Sequence, residues 1–386
     1  MLRNKIIVFI LALGFLSACI KPYTPKIDTE TSSKIVVSGK LTNTDEYWQS
    51  ITLSKSIPLN ENIFEKLTGC EVSIWDENGN EYKAFESQSS PGIYMFHIDK
   101  ENIKVGTAYH IHILTPDGDE LQSEPEIMTK VGEIKPPQYK IDSIYNGAYK
   151  YYTRGLQFFL DIEGDETSSN YYLIELVSTY EHHASYPREW YYDGVIHHIY
   201  PPDSSLMTCW TTARVPEIMT LSTENLSANK FHNFSLHFVP LNRDYLTYGY
   251  SLLVRQVGLS RKAFIYWESV RLNNNQNASL YNKQPVDTQG NIKNLTHPEK
   301  EVLGFFSASA ISEQRIFIDA MPTNPFPGCL PEVIEHGGLR DIGREKYPGF
   351  LMSDYKGGFL LVYLSEQCVD CSSHSGTNVK PNFWPY

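Results

Sequence analysis

Cys70-Glu71-Val72-Ser73-Ile74-Trp75, then Asp76-Glu77-Asn78-Gly79-Asn80, then Tyr82 to Glu86: one alternating run, a turn, and a second alternating run. Period-two patterning puts Val72 and Ile74 on one face of a strand, and an Asp/Asn/Gly cluster reverses the chain, so the stretch predicts a β-hairpin. The turn carries oxygen ligands, but it is short and lacks the closing bidentate glutamate of a calcium loop. The same pattern spreads outward on both sides. Ile35-Val36-Val37-Ser38-Gly39-Lys40-Leu41, Ile51-Thr52-Leu53-Ser54, Ile93 to Ile98 and Tyr109 to Leu114 are β-branched, aromatic and largely alternating, with a further turn at Pro116-Asp117-Gly118-Asp119. His110 and His112 fall on one face of such a strand, at positions that suit solvent. Strands at short, regular spacing with no helical period predict an immunoglobulin/transthyretin-like β-sandwich of about seven strands over residues 34–130.

Lys135-Pro136-Pro137-Gln138 cannot continue a strand ladder and marks a boundary. Beyond it, residues 139–386 predict a larger, sandwich-like β-rich domain. Its clearest strands are Leu156 to Ile162, Tyr171 to Tyr180, Phe231 to Val239 and Tyr245 to Val257. A long insertion, 182–207, is rich in Tyr, His and Pro and poor in periodicity. One short helix is expected after Ser260, a residue suited to cap it, with an apolar stripe through Phe264, Trp267, Val270 and Leu272. The fold class is therefore mostly β.

Before the first strand, Arg3 and Lys5 precede the apolar run Ile6 to Leu16, which is too short to span a bilayer, and the run ends in Leu16-Ser17-Ala18-Cys19. That tetrapeptide resembles a lipobox, with small residues before the cut and a thiol at the new N-terminus. Residues 1–18 are read as a lipoprotein signal peptide, Cys19 as the lipid attachment point, and 19–33 as a Pro- and Ser/Thr-containing tether. An exported chain meets an oxidising compartment, so cysteines become disulfide candidates. Cys209, Cys329, Cys368 and Cys371 are expected to form two disulfides pinning the C-terminal tail, with three pairings open, and Cys70 to remain a free buried thiol.

Charge excludes one class of partner. Thirty-three basic residues against 45 acidic ones give a net charge of −12, and no basic cluster exists to neutralise phosphates, so nucleic acid is not expected. The chain holds 26 tyrosines, 18 phenylalanines and 6 tryptophans, a composition that suits β-structure and aromatic contact surfaces. No nucleophile elbow, zinc helix, P-loop or dinucleotide fingerprint occurs, and no cofactor or metal is expected. His182, His183, His197 and His198 could be gathered by a metal, yet adjacent strand residues point to opposite faces, which favours a polar aromatic contact loop.

Tyr281-Asn282-Lys283-Gln284-Pro285-Val286-Asp287-Thr288-Gln289-Gly290-Asn291-Ile292, Val302-Leu303-Gly304-Phe305-Phe306-Ser307-Ala308-Ser309 and Cys368-Val369-Asp370-Cys371 through Gly376 to Trp384 carry a more specific signal. With the lipobox and the strand from Val36 to Asn43, they resemble the Bacteroidota lipoprotein family called domain of unknown function 4249. The resemblance implies an outer-membrane, lipid-anchored protein facing the cell surface. Its implied partner is a TonB-dependent receptor of the SusC type, which it would serve as a non-enzymatic accessory in nutrient uptake. The family brings no catalytic residues with it. Asp142-Ser143-Ile144 resembles the O-glycosylation sequon of the same phylum, at Ser143. Read as residues, Pro285 and Gly290 bracket a turn, and Val302 to Ser309 runs as a strand with Phe305 and Phe306 on opposite faces, as fold-determining elements.

The expected working surface, for the receptor or for an oligosaccharide or peptide ligand, is aromatic: Tyr186, Trp190, Tyr191, Tyr192 and Tyr200, with Tyr149, Tyr151 and Tyr152. Two other readings are a surface hydrolase, for which Asp161, Glu163, Asp165 and Glu166 are the candidate acids, and a structural surface protein or adhesin.

Overall fold

The computed structural model describes residues 33–44, 46–57, 65–147, 150–275, 286, 288–323, 329, 331–333, 338–341, 343–354 and 360–385. The signal peptide, Cys19, most of the tether, Tyr149 and 281–285 lie outside the described residues.

The first unit begins with nine strands: β1 (Ile35–Thr42), β2 (Gln49–Lys55), β3 (Glu65–Lys66), β4 (Glu71–Asp76), β5 (Glu81–Glu86), β6 (Ile93–Phe96), β7 (Ala108–Leu114), β8 (Glu120–Ser123) and β9 (Glu126–Ile127). Alternation does what the sequence pattern requires: Val37, Leu41, Ile51, Leu53, Ile74, Tyr109, Ile111 and Ile113 point into one core. His110 and His112 point the other way along β7, His112 Nε2 lying 2.7 Å from Glu120. The opening hairpin is present as β4–β5. Asp76 Oδ1 accepts the Asn78 and Asn80 amides at 2.9 Å each, and Gly79 supplies the positive φ of the reversal.

The second unit contains β10 (Gln138–Asn146), β11 (Tyr151–Glu163), β12 (Tyr171–His183), β13 (Arg188–Tyr192), β14 (Ile196–Asp203), β15 (Thr208–Arg214), β16 (Met219–Ser222), β17 (Lys230–Pro240), β18 (Gly249–Gly258) and helix α1 (Arg261–Asn275). Sheet β10-β11-β17 faces sheet β15-β12-β18, which β21 (Ile311–Asp319) extends. Leu156, Phe158, Leu160 and Ile162 of the first meet Tyr172, Ile174, Leu176, Tyr250, Leu252 and Val254 of the second, so this half is a sandwich. Ser260 caps α1 as expected, its Oγ accepting the Ala263 amide at 3.1 Å.

The partition of the chain differs from the expected 34–130 and 139–386. After α1 the chain returns to the first unit as β19 (Ile292–Asn294) and β20 (Leu303–Ser309), giving the path β19-β8-β7-β4-β5-β6-β2-β1-β20. β20 lies parallel to β1, with Val37 opposite Gly304 and Gly39 opposite Phe306. The first sheet curls until its two end strands meet, and Asn291 joins them. Its Nδ2 donates to the Phe306 carbonyl at 2.8 Å and its Oδ1 accepts the Phe306 amide at 2.9 Å. Gly290 makes this approach possible, because a Cβ on it would meet the Gly304 carbonyl oxygen at 2.1 Å, and Gly304, at φ +102°, lets β20 lie against β1, where a Cβ would meet the Val37 carbonyl oxygen at 1.8 Å. Phe306 is buried in the first core while Phe305 packs with Leu173, Val257 and α1 between the units. The Gly-Asn-Ile and Leu-Gly-Phe-Phe segments thus close and join the fold.

The insertion 182–207 is not irregular. β13 and β14 form a hairpin that pairs through β13 with β23 (Gly349–Asp354), in the sheet β14-β13-β23-β24-β22, where β22 is Glu332–Val333 and β24 is Leu360–Leu364. Its partner strand lies far downstream, so no local period announces it.

Candidate functional site

The cysteines organise the sheet β14-β13-β23-β24-β22. Cys209 on β15 bonds to Cys371, and Cys329 bonds to Cys368 in the short helix α2 (Glu366–Val369). Cys70 is a free, partly buried thiol, and burial raises its pKa. From Cys371 the tail crosses β15, where Trp210 and Thr377 exchange amide–carbonyl bonds at 2.9 and 3.0 Å, and ends with Trp384 buried and donating to Glu181 at 3.1 Å. Arg188 pairs with Asp370 beside it. A clamp of this kind fixes the insertion against the second unit.

Held this way, the insertion's aromatics do not form one open surface. Tyr192 is only 8% exposed, and Tyr186 packs on the Cys329, Leu364 and Cys368 cluster. Trp190 stacks on His198 at 3.9 Å and Tyr191 on His197 at 4.4 Å, as cross-strand pairs of the β13–β14 hairpin. Tyr200, 85% exposed, has its ring 6.0 Å from that of His198 on the same strand. Of the five rings expected to form the contact face, Tyr192 is buried, Tyr186, Trp190 and Tyr191 are half-buried along the sheet β14-β13-β23-β24-β22, and Tyr200 is exposed.

The histidines separate in the same way. His182 is buried and bonds Thr211 Oγ1 at 2.9 Å, and His183 stacks on Tyr248 and meets Glu181 at 2.7 Å. His197 lies 3.0 Å from Asp193. Among the described residues no group of three or more His, Cys, Asp or Glu is placed to hold a metal. Three of the four candidate acids of the hydrolase reading, Asp161, Glu163 and Asp165, are engaged, and Glu166 is exposed. Asp161 accepts the Asn233 amide at 2.8 Å, Glu163 pairs with Lys135 at 2.7 Å, and Asp165 accepts from Lys130, Thr167 and Ser168, which hold its carboxyl well below the usual range.

One surface stands out that the sequence pattern did not assign. β10 is an edge strand whose Tyr139 and Ile141 lie opposite the buried Phe158 and Leu156 of β11, on the core side of that sheet. Yet Tyr139, Ile141 and Tyr145 are each about half exposed, so this side overhangs the core and nothing in the chain's described residues covers it. Tyr145 and its opposite neighbour Tyr152, 70% exposed, bring their rings to 5.1 Å, with Tyr151 and Ile144 also exposed nearby. Ser143 is exposed on the same strand. Tyr151 and Tyr152 were expected here. Tyr139, Ile141, Ile144 and Tyr145 were not, although their β-branched and aromatic run was the available signal. Uncovered, aromatic-rich edges of this sort mark interaction sites.

These features define a class: a two-unit β protein, closed by a late-returning strand pair, with a disulfide-pinned tail and no helix among the described residues long and apolar enough to cross a membrane. The chain belongs to the family described as domain of unknown function (DUF4249), whose model matches residues 20–315. No curated protein matches the chain. The matched span ends within β21, so Cys329, Cys368 and Cys371 lie beyond it.

Proposed function

We propose that the protein is a lipid-anchored, non-enzymatic binding subunit of the outer membrane that docks on a TonB-dependent receptor of the SusC type and assists nutrient uptake. The single observation that carries this reading is the uncovered core-side stripe of the β10–β11 hairpin. A folded protein that leaves half-exposed Tyr and Ile on an edge strand gains by burying them against a partner, at about 25 cal/mol per Å² of apolar surface. The lipobox at Cys19 supports membrane attachment, since a lipidated cysteine buries enough methylene groups to hold the chain there.

The test is copurification of the receptor from detergent-solubilised outer membranes, with partners identified by mass spectrometry. Tyr145→Ser with Tyr152→Ser should lose most of the receptor while melting as wild type does. Full recovery of the receptor with this variant refutes the docking surface, and absence of any such receptor with the wild type refutes the transporter reading. Cys19→Ser should leave the chain unprocessed or free of the membrane fraction.

A further inference from the structure

We infer that the cleft between the two units binds a short oligosaccharide, an inference that rests on the reading of the chain as a binding subunit and names what it binds. α1 and Phe305 cover only part of the outer face of β12 and β18. The remainder stays open beside the polar face of β1 and β2. Two cavities of about 320 and 230 Å³ meet there and share Glu175, Arg214, Arg255 and Trp267. Together they reach the size of small-ligand sites, about 300–1,000 Å³.

The floor is a set of charges that hold one another in place. Lys40 Nζ lies 2.6 and 2.7 Å from the two Glu175 oxygens, and Arg255, directly across from Glu175 on β18, is held by Glu46 and by Glu313, the latter at 3.2 Å. Such groups need no ion from the ligand, and their remaining lone pairs and N–H bonds are fixed in space. They suit the hydroxyl groups of a sugar, each of which donates and accepts, through charge-assisted bonds. Ser50 and Thr52 add hydroxyls on the β2 wall.

Aromatic rings flank this floor. Trp48, half exposed, and Trp267 both line the larger cavity. A ring face accepts the C–H side of a sugar, and an indole N–H adds a donor at its edge. Arg214, exposed and without an ion pair among the described residues, stands at the junction of the two cavities. The polar lining of the larger cavity disfavours a peptide added as an extra strand. β1 is paired by β2 and β20, and β12 by β18, β15 and β16, so these two strands offer the cleft their faces and no free backbone edge.

The test uses the full-length, detergent-solubilised protein on an array of plant, fungal and host oligosaccharides. The strongest hit is then titrated by calorimetry and by tryptophan fluorescence. Wild type should bind with a fluorescence change. Trp48→Ala and Arg214→Ala, both at exposed side chains, should each weaken binding at least tenfold with unchanged melting, and Trp267→Phe should keep the fold and lose the fluorescence signal. No binding across the array, an affinity untouched by both variants, or binding of an extended peptide library in place of sugars overturns the inference. The cleft variants should still copurify the receptor. Loss of sugar binding with receptor retained therefore bears on the cleft alone, and the converse bears on the transporter reading alone.

Discussion

Replacing Asn291 by alanine tests whether the first sheet is closed by one side chain. Asn291 is 4% exposed and satisfies both the amide and the carbonyl of Phe306, at 2.9 and 2.8 Å. Alanine removes the partner of each, and neither group has water to turn to at that depth. An orphaned buried backbone group costs about 1–3 kcal/mol, so the pair costs roughly 2–6 kcal/mol. For a protein of this size, at roughly 2 cal/mol/K of unfolding entropy per residue, that corresponds to a melting temperature lower by about 3–7 °C. Asn225→Ala, at an exposed turn position, is the control and should change stability by less than about 0.5 kcal/mol. Thermal and denaturant unfolding followed by circular dichroism gives the numbers. Should Asn291→Ala prove too damaged to measure, Asn291→Ser keeps a shorter hydroxyl in place and should fall between the two. An Asn291→Ala variant melting within a degree or two of wild type would refute the seam, and with it the account of why Gly290 and Gly304 flank it.

Three further outcomes follow from the geometry. Cys371→Ser opens a crosslink spanning 162 residues, for which chain entropy allows up to about 5 kcal/mol; limited proteolysis should cut the tail first, and an uncut tail counts against the clamp. Tyr192→Ala should lower melting by several degrees and Tyr200→Ala should leave it unchanged, because the first is buried and the second stands in solvent; equal effects would contradict the pairing of β13 with β23. Glu126 is buried, and burial raises its carboxyl pKa despite the Ser260 hydroxyl donating to it at 2.7 Å. A raised folded-state pKa means the native chain holds this proton more tightly than the unfolded chain. The stabilisation is full below the unfolded value of about 4.3 and is lost as pH rises through the folded one. Glu126→Gln should therefore melt higher than wild type at neutral pH, with the difference shrinking towards pH 4; a difference that is constant with pH would exclude this origin.

What the sequence determined by itself is local. Period-two runs and Asp/Asn/Gly turns specified β1, β2, β4 to β7 and their hairpins, because side-chain alternation and turn chemistry act over a few residues. Ser260 announced the helix start for the same reason, and Phe305 and Phe306 on opposite faces followed from the pleat alone. The tertiary structure decided everything that depends on distant partners. Nothing near Leu303 says that it will lie parallel to β1, more than 250 residues earlier, or that Asn291 will supply the missing bonds between sheet ends. The pairing of four cysteines, the burial of Tyr192 under a strand supplied by residues 349–354, and the meeting of Lys40 with Glu175 across the cleft are likewise set by the packing of whole sheets. Aromatic composition promised a contact surface. Which rings remain in solvent depends on which strands come back to cover them.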